Sequence, residues 1–129
     1  MKARTGPSQR TVLFAAAWTL LILVLCALPG EDVPEVDIIA IDKLVHLILF
    51  AVFGILWLRS AGHPTARTGF SVVIVGIAFG IATELFQEWL DWGRTMDVWD
   101  AVADSIGVFC GVGWELIRRY RLDSRESRF

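Results

Sequence analysis

Long stretches without a charged residue alternate with short charged segments along this chain. No charged residue occurs between Arg10 and Glu31, or between Arg67 and Glu84. Because a helix needs roughly 20 apolar residues to cross about 30 Å of hydrocarbon, such gaps are typical of membrane-spanning segments. The pattern predicts four spans, at about 11–28, 42–58, 68–90 and 98–117. The second is the shortest, so we expect it to sit steeply in the bilayer or to thin it locally.

The first apolar run has two interpretations. It follows a basic N-terminus, as the apolar core of a signal peptide does. It is longer than such a core usually is, however, and no A-x-A cleavage motif follows it. It ends at Pro29-Gly30, a pair that terminates helices. We therefore expect a retained membrane helix.

The composition agrees with a membrane protein. The chain has 129 residues, of which 55% are hydrophobic and 20% are charged. In a soluble domain about a quarter of all residues are usually charged, and fewer are apolar than in this chain. The two cysteines, Cys26 and Cys110, lie within apolar runs and lack metal-ligand spacing to His46 and His63. A zinc site built on sulfur is therefore not expected.

The basic residues predict the orientation of the chain. Ten of the twelve lysines and arginines are expected at one side of the membrane: Lys2, Arg4, Arg10, Arg59, Arg67, Arg118, Arg119, Arg121, Arg125 and Arg128. Lysine and arginine accumulate on the cytoplasmic side of membrane proteins. The predicted fold is thus an all-α bundle of four transmembrane helices with both termini in the cytoplasm. Residues 1–10 form the cytoplasmic N-terminal segment, 11–117 the transmembrane domain and 118–129 a basic cytoplasmic tail.

Polar residues cluster at the start of span two and at the end of span three, on the side away from the predicted cytoplasm. Asp42, Lys43 and His46 stand at i, i+1 and i+4, so Asp42 and His46 share a helix face. In span three a polar stripe with the same helical spacing continues from Gly76 and Gly80: Glu84, Gln87, Glu88 and Asp91.

Span four has the most regular pattern. Asp97, Asp100, Asp104, Gly107 and Gly111 recur at intervals of 3, 4, 3 and 4 residues, which places them on one narrow face. Glycines at such spacing let helices approach closely, so Gly76, Gly80, Gly107 and Gly111 are predicted packing positions. A carboxylate as deep as Asp104 costs a few kcal/mol unless it is paired, hydrated or protonated. Arg94 is the expected cationic partner, and Lys43 and His46 are further ones.

The polar cluster has two interpretations, a structural one that joins the helices and a functional one. Clustered acids repel one another, which favours a functional site. The candidate substrate-binding residues are Asp42, Lys43, His46, Glu84, Gln87, Arg94, Asp97, Asp100 and Asp104. Among them the catalytic candidates are His46 as acid or base, Asp100 and Glu84 as its orienting groups, and Arg94 as an anion clamp. No cofactor is assigned; Mg²⁺ or Ca²⁺ at the acids stays open.

These residues resemble the VanZ-like family of bacterial membrane proteins over residues 42–111. The resemblance consists of Asp42-Lys43-x-x-His46, then Glu84-x-x-Gln87, then Arg94-x-x-Asp97-x-x-Asp100 followed by Asp104, Gly107 and Gly111. Members often have asparagine where this chain has Asp104, so a role that needs a neutral amide there is in doubt. The resemblance implies the bacterial inner membrane and a role in resistance to a glycopeptide antibiotic, without an established reaction. Some members carry an acyl-phosphate transferase label, but this chain has no phosphate-cradling loop.

Three functions follow from the sequence. The first is a cell-envelope protein whose outward polar site binds or modifies a lipid-linked or surface substrate. The second is an element that binds or transports ions or protons, and the third is a membrane scaffold with a structural polar cluster. Whether the chain is an enzyme stays open. The expected partners are the bilayer and an envelope lipid, and the G-x-x-x-G surface permits an oligomer. Nothing in the sequence suggests nucleic-acid binding.

Overall fold

The computed structural model describes residues 7–29, 37–62 and 64–128, and within these ranges the chain is helical with short connections. The helices are α1 (Gln9–Cys26), α2 (Asp37–Ser60), α3 (Ala66–Leu90) and α4 (Val98–Glu126). The all-α prediction with four helices is therefore confirmed. The predicted cytoplasmic residues Lys2, Arg4 and His63 lie outside the described ranges.

Three helical stretches in the described part of the chain are long and apolar enough to cross a membrane: Gln9–Cys26, Ala40–Ser60 and Ala66–Leu90. The expected short second span is wrong, because α2 already begins at Asp37 and its apolar stretch has 21 residues. Large side chains such as Leu13, Phe14 and Phe70 are more than 60% exposed. Apolar surface on this scale is typical of helices that face lipid.

The fourth helix carries several buried acids, whereas α3 has Glu84 as its buried acid. Asp100, Asp104 and Glu115 lie on the buried side of α4. It also continues to Glu126, so most of the predicted basic tail is an extension of the helix. Asp97 precedes the helix as its N-cap and accepts a hydrogen bond from the backbone N–H of Trp99 at 2.8 Å.

Helices that follow one another along the chain alternate in direction. Lys43 near the start of α2 pairs with Asp100 near the start of α4, and Arg59 near the end of α2 pairs with Glu115. Helices α2 and α4 are therefore parallel. Helix α3 runs antiparallel to both, since Gly80 near its end faces Asp104. We call the end with residues 42–46, 84–87 and 94–104 the polar end, and the end with Arg59 and Glu115 the arginine end.

Helix α1 is antiparallel to α2, because Cys26 at its end borders the same cavity as Asp42 and His46 near the start of α2. Two indole groups also join these helices. Trp18 donates from Nε1 to the carbonyl oxygen of Leu49 at 2.9 Å. Trp57 donates from Nε1 to Oγ1 of Thr19 at 3.0 Å. The first residues of α1 and the last of α4 consequently lie at the same end of the bundle, the arginine end.

Glycines bring the backbones of α2 and α4 into direct contact. A Cβ atom at Gly107 would overlap the carbonyl oxygen of Leu47, and one at Gly111 would overlap that of Ala51. Close approach of this kind is how small residues stabilise helix pairs in membranes, where apolar burial gives little driving force. These contacts fix how far α2 and α4 are shifted along each other, and so which polar side chains meet.

Helix α3 also packs on α4 through glycines. A Cβ at Gly76 would lie 2.6 Å from Cγ2 of Val108, and one at Gly80 would lie 2.9 Å from Cβ of Asp104. Phe53 of α2 also stacks on Phe79 of α3, with ring centroids 5.4 Å apart. The buried apolar core between the two ends of the bundle comes from α2 and α4, with Ile22 and Cys26 from α1, and partly buried residues of α3 such as Phe79 pack against it.

At the arginine end, three guanidinium groups converge on one buried carboxylate. Glu115 is fully buried and accepts hydrogen bonds from Arg59 at 3.0 Å, Arg118 at 2.7 and 2.9 Å, and Arg119 at 3.1 Å. These bonds join the end of α2 to α4. The sequence did not single out Glu115, although an acid followed by arginines at i+3 and i+4 is a recognisable helical pattern.

Candidate functional site

The polar end gathers side chains from α2, α3, α4 and the α3–α4 connection. Five of the predicted polar residues are buried there: His46, Glu84, Gln87, Asp100 and Asp104. Glu84 and Asp104 have no solvent-exposed surface at all. Asp42, Lys43, Arg94 and Asp97 are partly exposed around them. All nine predicted binding residues therefore lie at one end of the bundle.

His46 lies between two aspartates of α4. Its Nδ1 atom is 2.9 Å from Oδ1 of Asp104, and its Nε2 atom is 3.8 Å from Oδ2 of Asp100. Asp100 and Asp104 are one turn apart, so their carboxylates reach the two nitrogens of one imidazole from the same helix face. This arrangement holds the ring in one orientation.

Lys43 neutralises the outer acids of α4. Its Nζ atom donates to Oδ2 of Asp97 at 2.9 Å and to Oδ1 of Asp100 at 3.0 Å. The hydrogen bond from Lys43 lowers the pKa of Asp97, so this carboxylate stays ionised near neutral pH. Asp100 is consequently held from both sides, by the ammonium group on Oδ1 and by the imidazole near Oδ2.

Arg94 does not pair with the acids of α4 as the sequence suggested. Within the described ranges its ion-pair contact is to Asp42, whose Oδ1 lies 3.7 Å from Nη2, too far for a hydrogen bond. The residue stands in the α3–α4 connection, where Lys43 already occupies the side of Asp97 and Asp100.

Glu84 and Asp104 each use one carboxylate oxygen and leave the other free of protein partners. Oε2 of Glu84 accepts the backbone N–H of Asp97 at 3.0 Å. Among the described residues, no group hydrogen-bonds Oε1 of Glu84, Oδ2 of Asp104 or Nε2 of Gln87, although all three atoms are buried. Buried polar groups are nearly always paired in proteins, so three such atoms in one cluster need an explanation.

Two predicted members of the α3 stripe lie outside this site. Glu88 and Asp91 are exposed, whereas Glu84 and Gln87 are buried. Helix α3 ends at Leu90, and Asp91 adopts a left-handed conformation with φ of 51°. The stripe therefore turns away from the bundle at its last turn, and its final two acids face outward.

A cavity of about 180 Å³ opens beside the cluster. Asp42, His46, Gln87 and Arg94 line its polar part, and apolar residues of α1 and α2, among them Leu25 and Phe50, line the rest. Cys26 also borders it, which the sequence gave no reason to expect. The cavity thus combines a charged rim with an apolar wall.

A larger cavity, of about 330 Å³, lies away from the cluster. Its lining includes Phe53, Trp57, Val72 and Phe79 and contains no titratable residue. It offers an apolar surface without the groups that acid–base or ion chemistry needs. The smaller cavity is therefore the one relevant to the candidate site.

The geometry supports two kinds of chemistry. An imidazole oriented by carboxylates can accept or donate a proton at the cavity wall. A histidine and buried carboxylates with free oxygens can also hold a cation. Comparison of the chain with protein-family models, with curated proteins and with solved structures gives no match in any of the three.

Proposed function

We propose that this chain is a VanZ-like protein of the bacterial cytoplasmic membrane, with four spans and both termini in the cytoplasm. Its polar end faces the opposite side and binds or modifies a lipid-linked or surface substrate of the cell envelope. A contribution to resistance against glycopeptides or other envelope antibiotics is the biological role that the sequence resemblance favours.

The observation that carries the proposal is the set of three buried polar atoms without protein partners. Oε1 of Glu84, Oδ2 of Asp104 and Nε2 of Gln87 lie in one cluster, and Gln87 borders the cavity. A cluster that only joins helices gains stability by pairing every buried polar atom. Two acceptors and one donor left free beside a cavity are instead suited to an external group.

The burial pattern of α4 supports the fourth span. Its acids Asp104 and Glu115 are fully buried, while Phe109 is 67% and Ile106 is 49% exposed. The helix therefore turns its charges toward α2 and α3 and an apolar surface outward, as intramembrane charges require. Trp99 and Trp114, near the two ends of this surface, are also exposed, as in the aromatic belts of membrane proteins.

The distribution of basic residues supports the orientation. The arginine end is bordered by the first turn of α1, the α2–α3 connection and the end of α4. Besides the three arginines on Glu115, it has Arg10, Arg67, Arg121, Arg125 and Arg128. Lys43 and Arg94 are the basic residues of the polar end within the described ranges, and both contact acids. The positive-inside rule then assigns the arginine end to the cytoplasm.

The chemistry we propose for the site uses the residues around the cavity. His46 acts as proton acceptor or donor, oriented by Asp100 and Asp104. Arg94, which has one long contact to Asp42, binds an anionic group of the substrate. The apolar wall formed by residues such as Leu25 and Phe50 accepts the start of a hydrocarbon chain.

The test is antibiotic susceptibility of cells that carry variants at normal expression levels. We expect His46→Ala and Glu84→Gln to abolish the contribution of the protein to growth under glycopeptides or other envelope antibiotics. Glu88→Gln is the matched control, because this acid lies one turn from Glu84 and is exposed. Unchanged susceptibility of both site variants, with the protein present in the membrane, would refute the role in resistance.

The orientation is tested separately with reporter fusions. A reporter active only outside the cytoplasm should be inactive after Arg128 and active when inserted in the connection between Asp91 and Arg94. The reverse pattern, or activity at both positions, contradicts the four-span arrangement.

A membrane scaffold is the second candidate function. Lys43 links α2 to the start of α4 through two carboxylates, and His46 links the same helices deeper in the bundle. These pairs are what a structural cluster needs for helix pairing. The free atoms of Glu84, Gln87 and Asp104 have no purpose in that function, and so the binding site is preferred.

A further inference from the structure

The inner part of the polar end has more negative than positive charge. Lys43 contacts Asp97 and Asp100, and Arg94 contacts Asp42. Among the described residues, Glu84 and Asp104 have one cationic candidate partner, the imidazole of His46, which contacts Asp104 and has a donor atom within 4.8 Å of a carboxylate oxygen of Glu84. Two fully buried carboxylates beside one imidazole are costly in a low-dielectric interior unless another cation balances them.

The donor atoms of these three residues converge. One ligand atom each from His46, Glu84 and Asp104 lies within 4.8 Å of the others, and all three residues are buried. Two ligands of one ion, each about 2.0–2.2 Å from it, lie at most about 4.4 Å apart, which is close to the separation of these donors. The three donors come from α2, α3 and α4, so one ion would tie the three helices together.

Each carboxylate is already oriented, with its other oxygen free. The backbone N–H of Asp97 holds Oε2 of Glu84, which leaves Oε1. Oδ2 of Asp104 is free and lies beside Gly80, where a Cβ would come within 3.0 Å of it. The lack of a side chain at Gly80 therefore makes room for this oxygen between α3 and α4.

The second ring nitrogen of His46 faces the carboxylate of Asp100, beyond hydrogen-bond distance. Nδ1 is the nitrogen on the side of Asp104, and Nε2 points toward Asp100 with a separation of 3.8 Å. In metalloproteins the second ring nitrogen commonly donates to a carboxylate, which fixes the tautomer. Asp100 in turn accepts a hydrogen bond from Nζ of Lys43 at 3.0 Å.

A second group of donors, from Asp42, His46 and Asp100, is also close together. It is the weaker candidate, because Oδ1 of Asp100 binds the ammonium group of Lys43 and Asp42 has Arg94 beside it. A cation placed there would be repelled by two cationic side chains. The inner group has neither neighbour and holds the free oxygens.

We propose that His46, Glu84 and Asp104 bind one divalent transition-metal ion of the zinc class. A nitrogen donor with two carboxylates favours such an ion over Mg²⁺ or Ca²⁺, which prefer oxygen ligands. Three protein ligands leave a coordination position, and His46 and Gln87 border the cavity from which water or a substrate oxygen would reach it. This inference rests on the proposed function for the exposure of the site to an envelope substrate, while metal binding itself needs no substrate.

The experiment measures bound metal on the full chain in detergent, purified without a polyhistidine tag and stripped with a chelator. Equilibrium dialysis against Zn²⁺ followed by elemental analysis should give about one ion per chain, retained in excess Mg²⁺. Glu84→Gln and Asp104→Asn should each lower the Zn²⁺ affinity at least tenfold, and the outer variant Asp100→Asn about 10–100-fold. Glu88→Gln, as the control, should bind like the wild type.

A second measurement uses only the wild-type protein, in case variants fail to fold. Co²⁺ added to the stripped protein should give a visible absorption spectrum of nitrogen and oxygen ligation, without the intense thiolate band that Cys26 would cause. Less than one tenth of an ion per chain, displacement by equimolar Mg²⁺, or full binding by Glu84→Gln and Asp104→Asn would overturn the metal site. If the wild type binds the metal but the site variants leave antibiotic susceptibility unchanged, the proposed function alone is refuted. If the wild type binds no metal but the site variants change susceptibility, the metal site alone is refuted.

Discussion

His46 and Asp104 meet in the interior of the bundle, with Nδ1 and Oδ1 2.9 Å apart and neither side chain more than 8% exposed. The contact joins α2 to α4 at the depth where α3 contributes Glu84. It makes the imidazole the shared neighbour of the two fully buried acids, and the stability of the polar end should depend on it.

Replacement of His46 should therefore expose the cost of the buried carboxylate. In chelator-treated protein, His46→Ala should lower the free energy of unfolding by about 2–3 kcal/mol, because Asp104 loses its partner. The double variant with Asp104→Asn should recover at least about 1 kcal/mol of this, since the unpaired charge is then absent. Thermal or denaturant unfolding in detergent measures both. Additive losses would show that the two residues are not coupled.

At the arginine end, Glu115 should be structural. Glu115→Gln removes the charge on which Arg59, Arg118 and Arg119 converge, and we expect a loss of about 2 kcal/mol. Asp123→Asn is the control, because this acid is exposed on the same helix. The melting temperature in detergent distinguishes them. Equal effects of the two variants would mean that the buried carboxylate does not hold α2 to α4.

The contact of Gly111 with Ala51 should tolerate no side chain. Gly111→Ala places a methyl group into the backbone of α2 and should cost about 2–3 kcal/mol or prevent folding. Gly113→Ala is the matched control two residues away, since a Cβ there meets nothing within 4 Å. That variant should be neutral or more stable by up to about 1 kcal/mol, through helix propensity. Yield and melting temperature of the two proteins test this difference.

The helices were predictable because long apolar runs are local features of the sequence. Three of the four predicted spans begin and end within about two residues of the helix or its apolar part, which follows from the length that a membrane span needs. The start of α2 was placed too late, since Asp42 was taken as the boundary although the helix begins at Asp37. The extension of α4 past residue 117 was missed because charged residues were taken to mark its end.

The residues at the polar end were predictable from helical spacing, but their pairings were not. Periodicity shows which residues share a face of one helix, whereas a pair across two helices depends on their relative shift. That shift is set by the backbone contacts of Gly107 and Gly111 with Leu47 and Ala51. Arg94 was for this reason assigned to the acids of α4, whereas its described contact is Asp42. The division of those acids, with Lys43 on Asp97 and Asp100 and His46 on Asp104, was not predicted.

We propose above all that the polar end binds a ligand and that its main role is not to join the helices. The most direct test is the melting temperature of chelator-treated wild type, Glu84→Gln and the control Glu88→Gln in the same detergent. We expect Glu84→Gln to melt at the same or a higher temperature than the wild type, because it removes a buried charge that shares its one nearby imidazole with Asp104. A melting temperature several degrees lower, with Glu88→Gln unchanged, would contradict the claim and identify Glu84 as part of the structural core.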